Sequence, residues 1–246
     1  KLSFHPSAAV LINDPERVTP KEKHTTKDQR PERENIAPDL EFTREIRGGK
    51  TYLKIPASSL KGQLRARCHR ILQTMLAEAD DPNSAAQKMI DELFGSKDRR
   101  SQVSVGDALS ATPITEHDNH HIQHFNAVDR FTGGVENTAL FNVHAAWAES
   151  LDFDIILANT LPEWAKGLLL LALRDAMEGD LAIGWGKAKG FGHGHYSITP
   201  PETNEVCTDW AAFLHTLSRE QMAQANDALQ CLRDDVRERA SERNEA

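Results

Sequence analysis

The spacing of apolar residues changes near residue 56. Residues 51–55 read as an extended run, and Pro56 ends it, because the residue before a proline is pushed out of the helical region. Beyond it, Leu60, Leu64, Cys68, Ile71, Leu72, Met75 and Leu76 fall three and four apart, which predicts an amphipathic helix. Ser58 and Ser59 stand where their hydroxyls can accept the free N–H groups of that helix start. Upstream, residues 2–12 are β-like and Asp14-Pro15 ends them. Leu40, Phe42 and Ile46 alternate imperfectly, and Gly48-Gly49 is a turn signal. Downstream, Ser84 and Gln87 form a capping-box pair for a short helix ending near Phe94-Gly95. Val103 and Val105 alternate with serines as a half-buried strand. Phe141, Val143, Ala145 and Trp147 alternate, as do Leu151, Phe153, Ile155 and Leu157, giving two strands or one long bent one. Thr160-Leu161-Pro162-Glu163 joins a capping box to a proline in the first turn of a helix that stops at Gly179. A strand follows at 195–198, then helices at 208–217 and 218–240, the second opened by Ser218 and Gln221. The order β-α-β-β-α-β predicts an α+β, ferredoxin-like fold over residues 1–200, with a helical extension at 201–246.

Two segments break the pattern. Residues 16–38 are dense in Lys, Arg, Glu, Thr and Pro and read as a mobile loop. Residues 112–138 are polar and rich in histidine, and so long a segment in a compact domain points to function or disorder. The net charge is −8, which argues against nonspecific nucleic-acid binding by the whole surface. The last 46 residues carry 5 Lys/Arg against 10 Asp/Glu, so much of that charge belongs to the extension. Cys68, Cys207 and Cys231 form no CxxC pair, which excludes a four-cysteine zinc site within the chain. Scarce cysteine, no secretory signal and no apolar run long enough to span a bilayer suggest a cytoplasmic protein away from membranes.

Candidate chemistry lies in two stretches. No acidic residue occurs from 46 to 77, while Lys50, Lys54, Lys61, Arg65, Arg67 and Arg70 all do. A basic surface beside a buried stripe can meet a phosphate backbone, and it can equally be the solvated face of an ordinary helix. The second stretch, 184–194, interleaves five glycines with Trp185, Phe191, Lys187, Lys189 and His193. Glycine permits positive φ and close approach of backbone to a ligand. The order is not that of a nucleotide-binding P-loop.

In this order the chain resembles the RAMP superfamily of CRISPR-associated RNA-binding proteins. The resemblance rests on Ile55-Pro56-Ala57-Ser58-Ser59-Leu60-Lys61-Gly62-Gln63-Leu64-Arg65, Leu93-Phe94-Gly95, Val103-Ser104-Val105-Gly106-Asp107-Ala108, Val128-Asp129-Arg130-Phe131-Thr132-Gly133-Gly134 and the glycine-rich loop. It covers roughly residues 2–198. It is strongest to the repeated backbone subunit of type III effector complexes, or to one such unit of a single-chain effector. Ala57 stands where the family usually has glycine.

The resemblance implies a modified RNA-recognition-motif fold and an RNA-binding set of Lys54, Ser58, Ser59, Lys61, Arg65, Lys187, Lys189 and His193. It implies a β-hairpin thumb in 112–138, where His121, Phe125 or Phe131 displaces a base and Asp129-Arg130 anchors the return as a buried ion pair. The implied partners are guide RNA, complementary target RNA, other effector subunits and copies of the chain. The family places a catalytic aspartate in the loop before the Ile-Pro run. Asp39 lies closest to that distance, with Asp14 and Asp28 as alternatives, and Mg²⁺ is the expected cation if it cuts. Trp185 and Phe191 read as packing residues. His117, His120, His121 and His124 read as a solvated loop, and no zinc site is expected. His120 and His124 would share one face if the segment were helical. A subunit without catalysis, a guide-precursor nuclease using histidines as acid and base, and a histidine-metal hydrolase remain as alternatives.

Overall fold

The computed structural model describes residues 1–14, 38–115, 120–134, 141–200 and 204–241. Asp28, His117 and nearly all of the 16–38 loop lie outside those residues. The elements are β1 (Leu2–Pro6), β2 (Leu40–Glu41), β3 (Arg44–Arg47), β4 (Lys50–Ile55), α1 (Ala57–Met75), α2 (Pro82–Phe94), β5 (Val103–Val105) and β6 (Ala108–Ser110). They continue with β7 (His120–Phe125), β8 (Phe141–Ala146), β9 (Leu151–Phe153), β10 (Ile155–Leu157), α3 (Glu163–Met177), β11 (Gly194–Ile198), α4 (Trp210–Thr216) and α5 (Arg219–Ser241).

The main sheet runs β11-β1-β9-β6-β4-β3, antiparallel throughout. Its first four strands, taken with α1 and α3, are the ferredoxin-like β-α-β-β-α-β unit with fourth-first-third-second strand order. The β3–β4 hairpin adds the far edge, turning on Gly48 and Gly49, both at positive φ. The second strand of the unit is β6. Val103–Val105, expected in that role, instead pairs with β10 in a two-stranded ladder. Asp154 breaks β9 from β10, and its carbonyl accepts the Gly106 N–H at 2.9 Å, so both strands leave the main sheet together.

Helix starts depart from the sequence pattern. At α1 neither serine hydroxyl caps the first turn; Asp107 does, its Oδ1 accepting the Ala57 N–H at 2.7 Å. At α2 Asp81 caps Ser84 at 3.1 Å, and Gln87 turns away to bond Asp91. At α3 Pro162 is itself the N-cap, so the Thr160–Glu163 box does not form. The Ser218–Gln221 box forms reciprocally, at 2.9 and 3.1 Å.

Helices α1, α2, α3 and α5 share one core. Leu72, Met89, Leu168, Leu232 and Val236 bury together, so α5 packs on α3 rather than standing apart. Gly167 permits this approach, because a Cβ there would lie 2.4 Å from the Ala228 carbonyl oxygen. Arg239 grips Glu92 through two nitrogens, at 3.0 and 3.2 Å.

A smaller sheet, β2-β8-β7, stands off the main one. The chain after β1 bridges the two, since Val10 pairs with Ala146 and Asn13 with Phe42. Phe4, Leu11, Phe42, Val143, Ala145 and Phe191 fill the space between. This places the β7–β8 hairpin beside the glycine-rich loop.

Candidate nucleic-acid interface

The glycines of the 184–194 loop serve the loop's own packing. Trp185 N–H donates to the Leu11 carbonyl at 2.7 Å and Gly192 N–H to Ala9 at 2.9 Å. Gly184 and Gly192 have φ of 85° and 67°, and a Cβ at either would strike the carbonyl of Leu11 or Ile183, at 2.4 and 1.7 Å. The close approach expected toward a ligand is thus an approach to the protein's own backbone. What projects is a single 3-10 turn, Lys187–Lys189, between Gly186 and Gly190, both left-handed. Lys187 and Lys189 are exposed and form no ion pair among the described residues. Exposed His193 fixes the turn, its Nε2 2.9 Å from the Lys187 carbonyl.

An aromatic cluster docks this loop on the hairpin. Phe125, Phe141, Trp185 and Phe191 meet with ring centroids 5.4–6.2 Å apart. Lys189 Nζ lies 4.6 Å above the Phe125 ring. Trp185 and Phe191 are packing residues, and Phe125 packs with them instead of standing ready to stack on a base. His121 lies on the same face of β7, 6.1 Å from Phe191. It helps line an open groove of about 380 Å³ between β7 and the lysine turn, with Gln123, Trp147 and Lys189.

The cations of β4 and α1 are placed differently. Lys54 is held by Asp107 at 2.7 Å and Glu45 at 3.2 Å. The bond to Asp107, then that to Glu45, raises its pKa against the opposing effect of burial; Lys54 and the Ala57 N–H hold the Asp107 carboxyl below its ordinary value. Arg65 bonds Asp91 at 2.6 Å and the Gly95 carbonyl at 3.1 Å, clasping α1 to α2. Arg67 bonds Asp175, whose side chain is 5% exposed, at 2.7 Å. Lys61 forms no ion pair among the described residues, and burial, then the Arg65 charge, lowers its pKa. Ser58 is exposed and Ser59 half-buried beside it. Asp107 and Asp91, which take up two of the expected RNA-binding cations, and Asp175, which takes up Arg67, were not anticipated. Only Asp107 had a signal, as part of the run that carried the resemblance.

The histidine segment is a strand. β7 pairs with β8 through six consecutive residues, from His120 opposite Ala146 to Phe125 opposite Phe141. The loop expected for His120, His121 and His124 is corrected to a strand, His121 and His124 are exposed to solvent as expected, and the hairpin form is present. Residues four apart in a strand are about 13 Å apart, so His120 and His124 cannot share one ion. His120 Nδ1 lies 2.8 Å from His144 Nε2, and His144 Nδ1 lies 3.9 Å from Glu41. Among the described residues no group of three or more His, Cys, Asp or Glu could hold a metal ion. Past β7, Asp129 closes its own turn, accepting the Phe131 N–H and the Thr132 hydroxyl at 2.9 Å each. These bonds lower its carboxyl pKa. The buried Asp129–Arg130 ion pair does not form: Arg130 is exposed, and Phe131 is 98% exposed at the turn.

Asp39 borders β8. Its Oδ2 accepts the Asn142 N–H at 2.9 Å, and its own N–H donates to Asn142 Oδ1 at 2.8 Å. Asp14 lies on the neighbouring segment, its N–H on the Glu41 carbonyl at 2.9 Å.

These features define an RNA-recognition-type ferredoxin-like domain that carries a glycine-rich loop and a protruding hairpin. The family model of the RAMP superfamily matches residues 24–194, well over half the chain. The chain belongs to the RAMP superfamily, and that membership carries a CRISPR-associated RNA-binding role. A search among curated proteins found no match. No helix among the described residues is long and apolar enough to cross a membrane.

Proposed function

We propose that the chain is a backbone subunit of a type III CRISPR effector. It binds guide RNA along its length beside copies of itself and other subunits, in the cytoplasm, and positions complementary target RNA for cleavage. The observation that carries this reading is the exposed Lys187–Lys189 turn, held rigid at the rim of an open groove whose other wall is β7. Lys187, Lys189 and His193 on this turn suit a phosphate backbone, and the groove beside them suits a strand laid along it. Lys61, Ser58 and Ser59 extend the contact at the start of α1.

Cleavage is assigned to Asp39. RNA is cut by its own 2′-hydroxyl once the backbone swings into line, so the protein supplies position and proton transfer. Asp39 is pinned at the sheet edge by Asn142, which fixes where its carboxylate stands. Mg²⁺ is usually held by one or two carboxylates together with substrate phosphates. Asp39 would be such a carboxylate and would hold a hydrated ion against the phosphate. The ion would supply charge neutralisation there. A second reading, binding without cutting, is favoured by the Asn142 bond, because it gives Asp39 a structural use.

The test is purification with bound RNA followed by nuclease digestion. Protection at regular intervals is expected, as is loss of most RNA from a K187E/K189E variant whose melting temperature is unchanged. RNA retained in full by that variant at several salt concentrations removes the turn from the interface.

A further inference from the structure

We infer that His124 donates the proton to the leaving oxygen when target RNA is cut. The inference rests on the proposed role of Asp39. The β2-β8-β7 sheet brings the two residues onto one row. His124 is the register partner of Asn142 across the β7–β8 ladder. Asn142 is in turn the residue that Asp39 bonds through both backbone and side chain. Two ladder steps therefore separate Asp39 from His124, about 10 Å between backbones, which side chains on one face can close around a phosphodiester.

Other histidines on the hairpin are placed for other work. His121 points to the opposite face, toward Phe191. His120 shares the face of His124 but is tied to His144 at 2.8 Å. His124 is exposed and has no hydrogen-bond or ion-pair partner among the described residues. Histidine is the side chain most often positioned to give a proton to, or take one from, a reacting oxygen.

The step balances without a co-reactant. The 2′-hydroxyl proton passes to the Asp39 carboxylate as the 2′ oxygen bonds to phosphorus. The bond from phosphorus to the 5′ oxygen breaks, and that oxygen takes a proton from the His124 imidazolium. The products are a 2′,3′-cyclic phosphate and a 5′-hydroxyl.

The full chain assembled on guide RNA is given two targets, ordinary RNA and RNA with sulfur in place of the 5′ bridging oxygen. A thiolate leaves without a proton, so the sulfur substrate dispenses with the acid. His124→Ala is expected to slow cutting of ordinary RNA by about 100-fold, the size of one proton-transfer contribution. It should cut the sulfur substrate within a few-fold of wild type. His124→Gln should behave alike, which separates lost acid from lost hairpin structure. Asp39→Ala should fail on both substrates. Normal cutting of ordinary RNA by both His124 variants, or an equal defect on both substrates, overturns the inference and leaves the Asp39 assignment standing. A wild-type assembly that cuts neither substrate overturns the cleavage reading and this inference with it.

Discussion

Lys54, Arg65 and Arg67 lie in an acid-free stretch of sequence, yet in the fold each meets a carboxylate from elsewhere: Asp107, Asp91 and Asp175. Lys187 and Lys189 lie in a loop of similar basic character and meet none among the described residues. The first group holds elements together and the second is presented outward. The difference comes from how each backbone is held. A helix or central strand has neighbours on several sides that can supply a counter-charge. A turn bounded by two left-handed glycines projects beyond its neighbours. Local charge in a sequence therefore reports a nucleic-acid surface only where the fold leaves that charge uncompensated.

The sharpest test of this contrast is Arg67→Ala. It removes one of two guanidinium partners of a buried carboxylate, the other being Arg174 at 3.1 Å. Loss of about 3 kcal/mol of stability is expected, the lower end for breaking a buried pair. RNA affinity of the folded protein should not change. Chemical denaturation and RNA titration read the two quantities separately, and weakened RNA binding in a fully folded variant would move Arg67 to the other group.

A smaller effect separates two neighbours on α1. Arg65→Ala breaks a half-exposed pair and should cost about 1 kcal/mol or less, with RNA affinity unchanged. Lys61→Ala should leave stability alone and lower the salt slope of RNA binding by about 0.7, one phosphate contact on a single strand. The reverse pattern would break the distinction drawn here between compensated and presented charge.

The smallest effect concerns His5 on the main sheet. Burial, then the His195 charge, lowers its pKa, and its ring lies 2.8 Å from the Ser197 hydroxyl. The unfolded chain then binds the proton more readily than the folded one. Stability from this site is present above the ordinary histidine value, about pH 6.5, and is lost as pH falls below it. Comparing His5→Gln with wild type across pH 5 to 7.5 should flatten that dependence slightly, and an unchanged profile would assign it to other groups.

The sequence determined what depends on neighbours along the chain. The period of apolar residues marked α1, and alternation marked β8 and β9. Pro56 set the strand-to-helix turn, and Ser218 with Gln221 capped α5, because these effects act within a few residues. The ferredoxin-like order and the family were legible for the same reason. Tertiary structure decided what depends on partners far away in sequence. It put β6 rather than Val103–Val105 in the main sheet, and it capped α1 with Asp107, fifty residues on, in place of Ser58 and Ser59. It folded the histidine segment onto β8, whose register sends His121 to one face and His124 to the other. It also set Asp39 against Asn142 across 103 residues. Strand pairing and ion pairing act through space over a few ångströms, and no local pattern of residues records which distant partner the closed chain brings there.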